Sequence, residues 1–325
     1  MMMALPDSIL RGGFFMRSFK GIALLIITNL LIFLTLAITG NILIYFVLPM
    51  IGIDLRGSVA SSQFAWAMVF GFGGAFISLF MSKFMVKRSM NMQQVTEPQT
   101  AKEALVYNTV QELAEREGIK MPEVWVYWDD VPNAFATGPT RNNAMVAVSS
   151  GLAMNLADDE LKAVLAHEVG HIANGDMLAT TLLQGLMNTF VYFLASMIAR
   201  LVASVASGDN EEGEEGGMNM IVYFVVDIIL QILFSILASI VVCWFSRQRE
   251  FRADAYAADA LGAEPMIKAL RKIEYLSQQA LPQQEVDEKD ALATMKIYGA
   301  HGTIAGLFAT HPAIEDRVNA LKQRK

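Results

Sequence analysis

Four apolar runs, at about 21–45, 64–82, 177–206 and 219–245, constrain this chain more than any other feature. A helix crosses a bilayer in roughly 20 residues, so each run can span. Hydrophobic residues make up 54% of the 325, and mean hydropathy is +0.39. The first two runs are clean. The third contains Arg200 and the fourth Asp227 and Gln231, so those two can also be buried in protein. Arg11, Arg17 and Lys20 precede the first run, as at the opening of a signal peptide. The run continues too far toward Met50 for a signal segment and ends without a small-residue cleavage pattern. It reads as a retained anchor, with Met16 as an alternative start.

Basic residues set the orientation. Lys83, Lys87 and Arg88 follow the second run, and Arg247, Arg249 and Arg252 follow the fourth. Only Arg56 lies in the loop after the first run. "GDNEEGEEGG", between the third and fourth, has no Lys or Arg. Every basic cluster falls on one side, which this rule makes the cytoplasm. The expected organisation is a cytoplasmic segment 1–20, a helix pair 21–82, a soluble part 83–176, a membrane hairpin 177–245 and a second soluble part 246–325. Arg200 and Asp227 lie about six and eight residues from the outer ends of their runs, a few Å apart in depth at about 1.5 Å per residue. Buried membrane charges pair, so an Arg200–Asp227 contact is expected.

The soluble parts read as a small α+β domain. "TAKEALVYNTVQELAEREG" opens with the capping pair Thr100 and Glu103 and closes on Gly118. "EVWVYW", "NAFATG" and "AMVAVSS" read as short strands. A helix follows over 159–173 with Asp158 as N-cap, then helices near 248–261, 264–280 and 312–323, the last with Pro312 in its first turn.

The chemistry lies in "AVLAHEVGHIANGDM". His167 and His171, two of only four histidines, stand at i and i+4 and project from one helix face. Glu168 borders that face and can hydrogen-bond a metal-held water. This is the H-E-x-x-H arrangement of zinc metalloproteases. A catalytic zinc needs about three protein ligands and an open position. Candidates for the third are His301, His311 and the carboxylates of "SRQREFRADAYAADA". There, Glu250 and Asp254 stand at i and i+4, one fit to ligate and the other to orient a histidine; an exposed acidic pair would look the same. An antiparallel hairpin returns the chain to its starting depth, which brings Glu250 back toward His171. The single cysteine, Cys243, excludes a cysteine zinc site and an internal disulfide. The formal charge of −7 gives no case for nucleic acid.

"HEVGH", "EFRADAYA" and "THPAIEDR", in this order, resemble the HtpX family of integral-membrane zinc metalloproteases, within a wider group that includes the CAAX prenyl proteases. The resemblance runs from about Met16 to the end. It implies a mainly helical α+β fold, with four transmembrane helices and a gluzincin-like domain on the cytoplasmic side. It implies one zinc ion held by His167, His171 and Glu250, with Glu168 as base and proton shuttle. His311 and Arg317 match the family's late positions: His311 can donate to the oxyanion or, alternatively, only start a helix, and Arg317 can bind substrate. Asn133, Ala134 and Phe135 match a segment that lines the cleft, unless Phe135 is a core residue. Asn174 and Asp176 can order the helix exit or cap its end, and His301 reads as structural. Implied partners are protein substrates, misfolded membrane proteins above all, and the bilayer, in a bacterial inner membrane, with room for a homo-oligomer. A zinc-stabilised scaffold, a prenyl-protein protease and a metal transporter are the competing classes.

Overall fold

The computed structural model describes Leu34, Ile38 and residues 40–52, 59–207, 215–280 and 307–324. Most of the first apolar run, the acidic loop and His301 lie outside these residues. A π-helical turn (Leu43–Val47) and a short helical turn (Leu48–Met50) come first, and from Val59 on eight helices and four strands follow among the described residues. Helix α1 (Val59–Ser89) leads to β1 (Met92–Gln94), α2 (Ala101–Glu117), β2 (Glu123–Tyr127), β3 (Ala134–Thr140) and β4 (Asn143–Ser149). Then come α3 (Ser150–Asn155), α4 (Asp158–Asn174), α5 (Asp176–Ser207), α6 (Glu215–Leu261), α7 (Ala263–Ala280) and α8 (Ile314–Lys322).

Three helices among the described residues are long and apolar enough to cross a membrane: Ser61–Ser89, Asp176–Ala206 and Met220–Leu261. Helix α5 packs against both α1 and α6. The Arg200–Asp227 contact is not made. Arg200 instead meets Gln63 on α1, once that amide is turned to present its oxygen. Asp227 accepts from Gln231 at 2.6 Å, one turn along its own helix. A third helix within reach supplied Arg200 with a partner that depth alone did not reveal.

The sheet has the order β1-β2-β4-β3, with β2 and β4 parallel and both outer pairs antiparallel. β4 is central and buried on both faces. Val146 and Val148 join the main core with Val106, Val110, Leu161, Leu165 and Ile172. Met145 and Ala147 face the other way, toward Tyr127 and Phe135. β1 is an addition to the expected strands; three residues carry too little alternation to announce themselves.

Local chemistry sets the helix ends. The backbone N–H of Glu103 donates to Thr100 Oγ1 at 3.1 Å, and the Glu103 carboxylate reaches Gln99 N, one residue beyond the expected box. Helix α4 is capped by Ala157 rather than Asp158: Glu160 accepts from the Ala157 N–H at 2.9 Å. Asp158 is drawn off to Lys102 at 2.8 Å. Pro312 precedes the N-cap Ala313 of α8 instead of entering its first turn. The separate helix expected at 248–261 is the continuation of α6. "SRQREFRADAYAADA" contains no glycine or proline, so nothing stops the helix before Gly262, at φ 90°. At 1.5 Å per residue α6 is about 70 Å long, more than twice a bilayer's hydrocarbon thickness of about 30 Å, so a bilayer could hold only part of it.

Candidate metal centre

The centre is built on α4 and completed by α6. Ten residues of α4 are buried, His167 and Glu168 among them. Leu161, Leu165, Val169 and Ile172 are fully buried and seat the helix against the core. The i, i+4 spacing on α4 then fixes both imidazoles on one face. Their rings meet edge-on with centroids 4.7 Å apart. The later turns of α6 lie alongside and bring in Glu250. His167, His171 and Glu250 each offer a ligand atom within 4.8 Å of the others.

The hydrogen bonds behind the triad fix its protons. His167 Nδ1 lies 2.9 Å from Asp254 Oδ1, and His171 Nδ1 lies 2.7 Å from Asp176 Oδ2. With both Nδ1 atoms against carboxylates, the two Nε2 atoms face inward, 3.2 Å apart, and each offers a lone pair once its imidazole is neutral. Glu250 Oε1 lies 3.3 Å from His171 Nε2, and Oε2 3.5 Å from His167 Nε2. Glu250 Oε2 is buried without an aligned hydrogen bond, although His311 Nδ1 approaches to 2.9 Å. Two imidazole lone pairs and a buried carboxylate converging on one point fit a divalent cation, and N/O donors of this kind suit zinc. The protonation field agrees. Burial pushes His171 down, but Asp176 and Glu250 overcome it and hold the imidazole up at about 10. His167 is raised likewise against burial, chiefly by Asp254 and Glu250. These surroundings call for positive charge.

Arg317 is 8% exposed and grips Asp254 with Nε at 2.8 Å and Nη2 at 2.6 Å. Its Nη1 lies 3.5 Å from Glu250 Oε2. It therefore braces the carboxylates behind the triad. His311 stands at the rim, its side chain 43% exposed. Glu168 is 8% exposed and makes no hydrogen bond or ion pair among the described residues. A carboxylate so placed, one residue from a ligand, is available to a water.

Two expected residues sit apart from the triad. Phe135 points to the opposite sheet face and packs on Tyr127, ring centroids 5.9 Å apart. Asn133 is exposed before β3 and gives its carbonyl to Ser149 N at 2.9 Å. Ala134 and Ala136 are the residues of this segment that face α4. The residue sequence reasoning undervalued is Asp176. Gly175 ends α4 at φ 71° in the left-handed region, where a Cβ is disfavoured. The chain turns there, and the first residue of α5 folds back onto His171. Arg249 Nη1 donates to the Asp176 carbonyl at 2.7 Å and pins this corner to α6. "GD" directly after a ligand-bearing helix was the available signal.

Comparison with known proteins decides the family. The model of peptidase family M48 matches residues 100–325. The chain belongs to that family. A protease HtpX of Idiomarina loihiensis is 44% identical over 309 residues, covering 94% of this chain and 100% of that one. The protease HtpX of Escherichia coli K12 is 41% identical over 301 residues, covering 93% and 97%. The expected resemblance to HtpX is therefore correct. A crystal structure of Ste24p from S. mikatae has the same fold, with a TM-score of 0.54 at 18% identity; it covers 91% of this chain, which spans 65% of that one. This is a protease of a metallopeptidase family, with apolar helices long enough to cross a membrane and a His–Glu cluster compatible with the family's metal.

Proposed function

We propose that this chain is a membrane-embedded zinc endopeptidase whose centre faces the cytoplasm of a bacterial inner membrane. The observation that carries the reading is the triad itself. Two histidines from α4 and one carboxylate from α6 converge where those helices meet the apolar segments of α5 and α6. His167, His171 and Glu250 would hold one zinc ion. A bound zinc supplies a Lewis acid and lowers the pKa of its water to about 7.

The chain's own residues do the rest. Glu168 takes the proton of the attacking water and hands it to the departing amine. Asp254 and Asp176 keep both imidazoles in the ligating tautomer, and Arg317 holds Asp254 in place. His311 donates to the developing oxyanion or to substrate backbone from the rim. β3 is an edge strand beside α4 and can take an extended substrate by strand addition, Asn133 and Ala134 lying at the start of that rail.

The expected organisation stands as a proposal: two soluble parts, 83–176 and 246–325, joined through the hairpin 177–245 and preceded by 1–20 and a helix pair 21–82. The basic ends of α1 and of the apolar part of α6 support the cytoplasmic side. Substrates are misfolded or damaged membrane proteins, since the centre lies next to the apolar helices. The test is cleavage of an unfolded membrane protein by the full chain and by Glu168→Gln, with zinc counted in both. Lost cleavage with retained zinc is expected. Equal cleavage would end the mechanism, and lost zinc would make Glu168 structural.

A further inference from the structure

Helices α1 and α5 touch backbone to backbone at one level. A Cβ added at Gly71 would lie 2.6 Å from Thr189 N and 2.9 Å from the Gly185 carbonyl; one at Gly185 would lie 2.5 Å from the Phe72 ring. Such contacts require glycine on both sides. Between this crossing and the metal centre lies a cavity of about 430 Å³. From α1 it is lined by Ala75, Ser78 and Leu79, and from α5 by Thr180, Thr181 and Gln184. Ala136 of β3 borders it, and His171 and Glu250 form part of its wall. Ala75 and Ser82, the first and last lining residues of α1, are about 10 Å apart along the helix at 1.5 Å per residue. The cavity is thus a wedge between the helices that meets the metal ligands at one end, with the glycine crossing within about one turn of Ala75 and Gln184 at the other.

The polar groups on the α5 wall are already engaged. Thr180 and Thr181 donate to the carbonyls of Asp176 and Met177, at 2.7 and 2.9 Å, and Gln184 donates to Asn188 at 2.9 Å. Arg249 borders the cavity, but its guanidinium is held by the Asp176 carbonyl and lies over the Phe245 ring. The α5 wall therefore offers volume and satisfied, neutral surface, while Ser82 Oγ and Arg249 Nε on the other walls are buried without a hydrogen-bond partner. Its volume falls in the range of about 300–1,000 Å³ common for binding clefts.

We propose that this wedge is a specificity subsite that selects by size, for one medium-to-large side chain flanking the scissile bond. The inference rests on the peptidase reading above, because the wedge becomes a subsite only when a peptide lies across the triad. Ser78 and Thr180 set its width, Leu79 its depth, and the Gly71–Gly185 crossing its limit.

The experiment uses the full chain in detergent, zinc-loaded, with a tryptic digest of soluble proteins as the probe. Cleavage positions are mapped by mass spectrometry for wild type, Ser78→Phe, Thr180→Phe and the enlarging variant Leu79→Ala. In the filled variants, bonds with a large residue at one flanking position should lose at least about tenfold in cleavage relative to bonds with Gly or Ala there, the scale of pocket discrimination by size. Leu79→Ala should shift the preference at the same position toward larger residues. Zinc content equal to wild type reports that each variant is folded; if the filled forms lose zinc, Leu79→Ala decides alone. An unchanged profile in zinc-retaining variants of an active wild type overturns the subsite only. A wild type that cuts no peptide overturns the peptidase reading, and the subsite with it.

Discussion

Along α6, the turns after Met220 and the turns after Glu250 carry opposite patterns of exposure. Ile221, Ile228, Ile232 and Leu237 are 63, 56, 59 and 53% exposed, whereas Glu250 and Asp254 are 4 and 2% exposed. Water would reverse both patterns. The apolar turns suit lipid, and the charged turns are tolerable only because histidines and Arg317 face both buried carboxylates, Glu250 and Asp254. One helix with no break thus passes from a solvent that needs no polar groups into a site made almost entirely of them. The continuity ties the position of Glu250 to the position of the apolar segment.

The sharpest way to test this contrast is to remove one buried partner. Arg317→Ala leaves the buried Asp254 with only His167 to answer it, and should destabilise the fold around the triad by about 3–5 kcal/mol, read by chemical unfolding of the metal-free full chain. Arg324→Ala breaks an exposed pair to Asp259 and should cost about 1 kcal/mol or less. Equal losses would mean that burial does not govern these pairs.

Apolar truncation should divide along the same line. Leu165 is fully buried in α4, and Leu165→Ala should cost about 2–5 kcal/mol. Ile228→Ala, on the exposed face of α6, should stay within about 0.5 kcal/mol in detergent. A comparable cost at Ile228 would reveal a protein partner on that face.

Asp176→Asn weakens the brace on His171 without emptying the triad. Zinc affinity should fall about 10–100-fold, measured by competition with a chelator. Unchanged affinity would return Asp176 to a simple helix start.

The smallest effect concerns the seam between α1 and the sheet. Glu123 receives Lys83 at 2.7 Å and Lys87 at 2.6 Å, and Lys87 also lies over the Trp125 ring. Partial burial pushes the Glu123 carboxyl up, but the two lysines and Trp125 prevail and hold it at about 2, below its usual 4.5. A depressed carboxyl contributes stability that is full above pH 4.5 and fades as pH falls toward 2. Glu123→Gln should flatten stability across that interval, seen in melting curves at stepped pH. A variant as pH-sensitive as the parent would assign acid lability to other carboxylates.

What could be read from sequence followed the range of the interaction. His167, Glu168 and His171 belong to one helical turn, so spacing alone placed them together. Glu250 needed a topological argument, and the antiparallel hairpin supplied it. Thr100 and Gly118 act within one or two turns and were equally visible. Arg317's grip on Asp254 joins α8 to α6, and Arg200's contact with Gln63 joins α5 to α1; no local pattern encodes either. Phe135 followed the alternation of its strand to the far face. The short β1 exists only because β2 offers it an edge. The wedge between α1 and α5 was beyond reach for the same reason, since it depends on where two glycines allow helices to meet.

The central claim is that the third zinc ligand arrives from the far side of the membrane hairpin. Zinc-edge X-ray absorption on the full chain measures this directly. We predict two imidazole nitrogens at about 2.0–2.1 Å and carboxylate oxygen at about 2.0–2.2 Å, with that oxygen signal or the zinc itself lost in Glu250→Ala. A Glu250→Ala protein with the zinc content and spectrum of the parent would contradict it.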